Sequence, residues 1–211
     1  MATTTFARWT ATVAVAESAG FVAPAVVGAL TTDLPWYGAL PALLAAGAVE
    51  GAVLGWAQAS VLRRMLPSVR GRRWVMLTTG AAVAAYVLAM TAVLAGTASG
   101  WVRIVVPVVC GALLLLSIGG AQWLELRHHL ARAATWVPAT ALAWLLALGA
   151  FLAVATPLWH EDQRLWVTLL IGVGAGIVMA LVQAAVTGWW LLRLLSRVQR
   201  ESTGWSASQR P

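Results

Sequence analysis

Two glutamates, Glu17 and Glu50, interrupt apolar stretches of this 211-residue chain that are otherwise long enough to cross a bilayer. A carboxylate in the hydrocarbon region costs roughly 2.5–3.5 kcal/mol or more, so it marks a candidate functional site. At about 1.5 Å per helical residue, Glu17 lies roughly 12 Å beyond Trp9, and Glu50 lies roughly 20 Å before Arg63. Both acids are therefore predicted near mid-membrane, in neighbouring antiparallel helices.

If the two carboxyl groups converge, they form a site for a proton, a cation or a small solute, because two negative charges repel each other in a medium of low dielectric constant. Two alternatives stay open. Each acid would be protonated and hydrogen-bonded to a neighbouring helix, or Glu50 would reach an outer aqueous vestibule. Neither acid recurs in the internal repeat described below, and this asymmetry favours a function for the pair.

Three glutamines do recur, and each lies one to two turns from the end of an apolar stretch: Gln58, Gln122 and Gln183. A buried amide must find partners on facing helices. The repetition favours a polar clamp between helices, and the alternative is a polar ring that lines an inward-facing vestibule. Because Gln58 shares a helix with Glu50, it is predicted to belong to the ligand- or ion-binding site, on its inner side.

Other titratable groups give no sign of catalysis or of a cofactor. Adjacent helical residues point about 100° apart, so His128 and His129 make a poor metal site, and Glu125 is expected to pair with Arg127 or a neighbouring arginine. Cys110 is the single cysteine, and the chain has no lysine for Schiff-base chemistry. Without phosphate-binding loops, zinc motifs or nucleophile elbows, we expect no enzyme, metal or cofactor, although an intramembrane enzyme that uses the two acids stays open.

The elements that must position these groups are membrane-spanning helices. The chain is 61% hydrophobic and 10% charged, whereas about a quarter of the residues in a soluble domain are charged. About 20 apolar residues cross the hydrocarbon layer. Long enough stretches are 9–32 and 38–62, which contain the two acids, and 74–102, 104–124, 133–159 and 165–192, which contain no charged residue.

An internal repeat groups these stretches into hairpins. A tryptophan opens and a glutamine closes each copy, at separations of 49, 48 and 47 residues: Trp9 to Gln58, Trp74 to Gln122, and Trp136 to Gln183. The sequence predicts an all-α membrane protein of six transmembrane helices, built from three hairpins at about 6–64, 70–128 and 132–194. Equal hairpins of one orientation predict a pseudo-threefold bundle around an axis normal to the membrane.

Glycines follow the same register on the second helix of each hairpin. Gly47, Gly111 and Gly172 each stand eleven residues before the closing glutamine, and Gly51 and Gly176 stand seven residues before it. These spacings are close to whole helical turns, so the glycines share a face with the glutamine. Small residues let helix backbones approach closely in lipid, and these five are predicted to be helix-packing positions.

Charge predicts the orientation. Twelve of the fourteen basic residues, all arginine, lie at the termini or in the links after the second and fourth stretches, and only Arg103 and Arg164 lie on the other side. This bias places both termini, including a polar tail at 201–211, in the cytoplasm beneath an inner membrane with anionic headgroups, and it gives no reason to expect nucleic acid. Tryptophans at both ends of the stretches are predicted to be interfacial anchors.

Two segments resemble a known pattern. The run 119–127, Gly-Gly-Ala-Gln-Trp-Leu-Glu-Leu-Arg, followed by Trp136 and Val137, is similar to a G-x-x-Q-W-x-x-L-R motif repeated in uncharacterised multi-pass bacterial membrane proteins. The segment 17–21, Glu-Ser-Ala-Gly-Phe, is similar to another segment of theirs. Copies one and three depart from the motif, since Ala59 and Ala184 replace its tryptophan. The resemblance implies a multi-pass fold and no particular activity.

Two functions fit these features. The first is a small carrier or permeation protein with a mid-membrane carboxylate site. The second is a non-catalytic scaffold or accessory subunit of a larger membrane complex, which would bind a membrane-protein partner or a further copy of itself through its glycine faces and basic inner surface.

Overall fold

Six long helices account for almost all of the structure. The computed structural model describes the backbone of residues 2–208 and the side chains of residues 3–196. The helices are α1 (Ala2–Leu30), α2 (Trp36–Met65), α3 (Gly71–Gly96), α4 (Val102–Leu126), α5 (Trp136–Ala155) and α6 (Leu165–Ser208), and a short 3₁₀ turn, Ala133–Thr135, precedes α5. No strand occurs between residues 2 and 208.

All six helices are long and apolar enough to cross a membrane. In lipid the backbone must satisfy its own hydrogen bonds, which makes a helix the favoured state for uninterrupted runs of Ala, Leu and Val. Prolines at positions 24, 41 and 107 lie inside helices, where lipid-embedded helices tolerate them. α6 continues through the first eight residues of the predicted polar tail, and residues 209–211 lie outside the described part of the chain.

The helices pack as a closed ring in chain order. Each helix packs against its neighbours in sequence, and α1 packs against α6 to complete the ring. Short connections make neighbouring helices antiparallel. One end of the bundle, called here the arginine end, holds the starts of α1, α3 and α5 and the ends of α2, α4 and α6. The opposite end, called the turn end, holds the three turns inside the hairpins.

Close helix contacts occur at some of the predicted glycines. A Cβ atom on Gly51 would lie 2.6 Å from the Ala82 Cβ of α3, and the rings of Tyr86 and Phe21 lie directly over Gly47 and Gly176. These glycines admit a neighbouring helix or an aromatic ring that a larger residue would displace.

Gly111 and Gly172 do not form such contacts. No atom lies within 4 Å of the position that a Cβ would occupy on either residue. The tight contacts of α2 and α4 instead include Gly55 and Gly119, which both stand three residues before the closing glutamine. A Cβ on Gly55 or Gly119 would lie 3.1 Å from the Cα of the first residue after Trp74 or Trp136, respectively.

The three opening tryptophans are not interfacial anchors. Trp9, Trp74 and Trp136 are at most 1% exposed, whereas Trp36 and Trp101 at the turn end are 50% and 70% exposed. The opening tryptophans instead lie inside a packed layer at the arginine end, where the Trp136 ring contacts the rings of both Trp9 and Trp74. The expected aromatic girdle is therefore absent for these three residues.

Candidate functional site

The two mid-membrane glutamates meet inside the ring. The side chains of Glu17 and Glu50 line the same cavity, and no hydrogen bond among the described residues joins their carboxyl groups. Glu17 is fully buried, and among the described residues no N–H or O–H group donates to either of its oxygens. Glu50 Oε2 accepts a hydrogen bond of 2.7 Å from the Tyr86 hydroxyl.

Gly20 accounts for the close approach of the helices that carry these acids. It lies one turn after Glu17 on α1, and a Cβ built there would stand 3.2 Å from Glu50 Cα. A larger residue would push α1 away from α2 and separate the two carboxyl groups. The sequence already places Gly20 on the same helix face as Glu17, because the two residues are three apart.

The acids line a cavity at the centre of the bundle. Its volume is about 200 Å³, and all six helices contribute to its wall. Two aromatic side chains add polar atoms to this wall, Tyr86 from α3 and Trp144 from α5. Trp144 is 9% exposed, and its Nε1 has no hydrogen-bond partner among the described residues. The rest of the lining is apolar, and no basic side chain of residues 3–196 belongs to it.

Three apolar side chains line the cavity on the side of the arginine end. Leu54, Ile118 and Met179 each precede a closing glutamine by four residues, and all three are part of the cavity wall. They are between 1% and 7% exposed. One turn further towards the arginine end lie the glutamines themselves, so these three residues separate the cavity from the polar layer beneath.

That polar layer is a network of side-chain hydrogen bonds between hairpins. Gln58 Oε1 accepts from Trp74 Nε1 at 3.2 Å and from Gln122 Nε2 at 2.7 Å. Gln122 Nε2 also donates to Thr78 Oγ1 at 3.0 Å, and Gln122 Oε1 accepts from Trp136 Nε1 at 2.9 Å. The amides of α2 and α4 are thus used within the layer, and Gln58, predicted on the inner side of the acidic site, does not line the cavity.

The third copy completes the layer differently. Trp9 Nε1 donates to Thr187 Oγ1 at 3.2 Å, and Thr187 Oγ1 donates to the backbone oxygen of Gln183. The side-chain amide of Gln183 is fully buried, yet neither of its atoms has a partner among the described residues. The Trp136 ring lies 6.4 Å from the rings of both Trp9 and Trp74. This tryptophan–glutamine layer closes the bundle at the arginine end.

A second cavity lies towards the turn end. Its volume is about 310 Å³, and its lining includes Thr32 and Trp159 near the turns. Phe21 and Tyr86 line both this cavity and the central one, so they form the boundary between the two. The Phe21 ring packs edge to face on Phe151 at 5.6 Å. The central cavity is therefore nearer to an opening at the turn end than at the arginine end.

Glu125 forms a separate polar cluster at the arginine end. Its side chain is fully buried and pairs with Arg70 and Arg73 at 3.4 and 3.3 Å, while His129 contacts it at 3.2 Å. Arg127, the partner first expected, lies instead over the Trp123 ring. The cluster ties the link between α2 and α3 to the end of α4. Among the side chains of residues 3–196, no group of three or more His, Cys, Asp or Glu residues could hold a metal.

The structure adds three residues to the predicted site. Phe21, Tyr86 and Trp144 surround the acids, although sequence reasoning did not select them as binding residues. A signal was present, because Phe21 and Tyr86 both stand twelve residues after an opening tryptophan, and Trp144 stands at the repeat position of Glu17. Comparison with models of protein families, with curated proteins and with solved structures finds no match to this chain.

Proposed function

We propose that this chain is a small carrier or permeation protein whose Glu17–Glu50 pair binds a proton or a cation within the membrane. The observation that supports the proposal is a pair of buried carboxyl groups in a cavity to which all six helices contribute and which no described basic side chain enters. Uncompensated acids inside a membrane protein are costly and commonly mark proton relays or ion pathways. A ligand that brings positive charge would offset that cost.

The closed and open sides of the cavity suggest a direction of access. With the termini in the cytoplasm, as the arginine distribution favours, the tryptophan–glutamine layer closes the cytoplasmic side. The second cavity then reaches towards the outer face. This arrangement corresponds to the outward-directed half of an alternating-access cycle, in which the inner layer opens at another stage.

The three hairpins supply the scaffold for such a cycle, and we infer that they are related by a pseudo-threefold axis. Two observations support this inference. Leu54, Ile118 and Met179 occupy matching repeat positions and line one cavity. Gly55 and Gly119 also match, and both press against the start of the following hairpin. On such a scaffold the acids are the asymmetric element.

Proteoliposomes provide the test. Purified full-length protein is reconstituted with an entrapped pH-sensitive dye, a pH gradient is imposed, and inorganic and organic cations are added outside in turn. We expect one class of cation to dissipate the gradient, and we expect Glu17→Gln and Glu50→Gln to lower that rate at least about ten-fold. Glu161→Gln, which changes an exposed acid in a loop at the turn end, is the matched control. Equal rates in parent and acid variants would overturn the proposal.

A second candidate is an accessory subunit of a larger membrane complex. One observation favours it, an open groove on the bundle surface between α1 and α2 that is lined only by alanine and valine, including Ala23, Ala42 and Val49. Small residues of this kind accept a neighbouring transmembrane helix. Extraction in a mild detergent would then yield a stoichiometric partner, and Ala42→Leu would remove it. A monomer that moves a cation in liposomes would contradict this candidate.

A further inference from the structure

We propose that the ligand of the central cavity is a small organic ammonium ion that carries a single aromatic ring. The inference rests on the proposed function and gives its site a ligand class. It begins with charge: the polar wall consists of two carboxyl groups, the Tyr86 hydroxyl and the Trp144 N–H, with no basic side chain among the described lining residues. Two carboxyl groups without a basic counterpart disfavour an anion there.

The donor set disfavours an inorganic metal ion. Calcium takes six to eight oxygen ligands, and magnesium requires near-octahedral oxygen coordination. Among the described residues, the cavity offers side-chain oxygens from Glu17, Glu50 and Tyr86 only, and the remaining lining is hydrocarbon or aromatic. A stripped metal ion would lack ligands, and a hydrated one would place its water shell against apolar walls.

The aromatic walls favour an organic cation. Phe21, Tyr86 and Trp144 come from three different helices and line the same cavity as the acid pair. Aromatic faces attract ammonium groups, most strongly where water is excluded. An acid pair with several rings thus matches an ammonium head on an apolar body.

Unpartnered polar atoms show that the protein alone does not complete this site. Both oxygens of Glu17 and the Nε1 of Trp144 lack hydrogen-bond donors or acceptors among the described residues, although each side chain is more than nine-tenths buried. Buried polar groups without partners are rare and each calls for an explanation. An ammonium group donating to Glu17 would satisfy one of them.

The volume limits the size of the ligand. An apolar cavity of about 150 Å³ holds one benzene molecule, and the central cavity has about 200 Å³. It therefore fits one ring with a short ammonium arm, and a body of several fused rings would need the site to expand. Access would come from the second cavity, past the boundary formed by Phe21 and Tyr86.

Calorimetric binding to the purified full-length protein in detergent tests the inference. The probes are 2-phenylethylammonium, its neutral analogue 2-phenylethanol, tetramethylammonium and sodium. We expect the aromatic ammonium ion to bind at least about ten-fold more tightly than each of the others. Glu17→Gln and Glu50→Gln should weaken its binding by at least about ten-fold, and Glu161→Gln should leave it unchanged.

A variant that keeps both acids tests the site even if the acid variants fail to fold. Ala85 lines the cavity and is half-buried. Ala85→Leu fills space without changing charge, so it should weaken 2-phenylethylammonium binding while the protein still elutes as the parent does. Unchanged binding in this variant would place the ligand elsewhere and overturn the inference.

The outcomes separate this inference from the proposed function. If 2-phenylethanol binds as tightly as 2-phenylethylammonium, or if only sodium dissipates the liposome gradient in an acid-dependent way, the ligand class is wrong and the carboxylate carrier stands. If no cation dissipates the gradient in an acid-dependent way and none binds, both proposals fail.

Discussion

Two layers of the same bundle differ in whether their buried polar side chains are hydrogen-bonded. In the tryptophan–glutamine layer, Gln58 and Gln122 bond to each other and to tryptophan and threonine side chains of neighbouring hairpins. In the central cavity, about two turns away along the helices, Glu17 shares the cavity wall with a second acid and accepts no hydrogen bond from a described residue. The first arrangement stabilises helix association, whereas the second is costly without a ligand. The polar groups that hold helices together and those of the proposed site therefore lie at different depths in the bundle.

The largest loss of stability should come from the centre of the tryptophan–glutamine layer. Trp136 is fully buried, contacts both other opening tryptophans and donates to Gln122. Replacing it with alanine should lower the free energy of unfolding by ~3–5 kcal/mol, because a large buried side chain leaves a cavity. Thermal unfolding in detergent measures this, with the exposed Trp101→Ala as control. A loss no greater than that of Trp101→Ala would mean that the layer does not hold the bundle together.

A comparison between two glutamines sharpens the account of the layer. Gln122 makes three side-chain hydrogen bonds, whereas the amide atoms of Gln183 have no partner within residues 3–196. Gln122→Leu should cost ~1–3 kcal/mol, because it leaves the buried Trp136 Nε1 unpaired and removes one of the two hydrogen bonds that Gln58 Oε1 accepts. Gln183→Leu, the matched change, should cost nothing measurable in the same unfolding experiment. Equal losses would show that Gln183 is paired in the membrane through a bound water.

Tyr86 lines the central cavity and donates a hydrogen bond to Glu50. Removing its hydroxyl in Tyr86→Phe deletes the 2.7 Å bond to Glu50 and keeps the ring that packs on Gly47. The expected cost is ~0.5–1.5 kcal/mol of unfolding free energy. Tyr37→Phe, an exposed tyrosine at the turn end, is the control. A much larger loss would show that Tyr86 supports the fold rather than the site.

A small effect on stability is expected at Glu17, one of the two acids of the proposed site. Glu17→Gln removes a buried carboxyl that has no described donor, so the free energy of unfolding should stay within about 1 kcal/mol of the parent's value or rise. The same thermal measurement applies, with Glu161→Gln as reference. A strong destabilisation would assign Glu17 to helix packing, and the contrast between the layers would disappear.

The sequence predicted the six spans and the two acids on neighbouring helices because charge is a strong signal in an apolar chain. It did not predict which faces turn inward. In a soluble helix the buried face is apolar and the exposed face is polar, whereas lipid is as apolar as the protein interior. Trp9, Trp74 and Trp136 could therefore be assigned to the headgroup layer although they are buried.

The glycines also show that the sequence did not predict which residues face a neighbouring helix. A spacing of seven or eleven residues identifies a helix face, but small differences in crossing geometry decide which turn touches the neighbour. Gly51 and Gly176 make that contact, Gly111 and Gly172 do not, and Gly55 and Gly119 make it in a register that the periodicity did not single out. The hydrogen bond between Tyr86 and Glu50 was not predicted either, because the two residues are 36 apart in sequence and only the packing of α2 against α3 brings them together.

The position of the acid pair has a consequence for biosynthesis. Glu17 and Glu50 belong to two consecutive helices, α1 and α2, which pack closely at Gly20. The first hairpin can thus enter the bilayer with its carboxyl groups already turned towards each other. Tyr86 follows with the third helix, and α6 finally seals the remaining side of α1. The costliest residues of the chain can in this way be sheltered from lipid by their own hairpin before the rest of the bundle assembles.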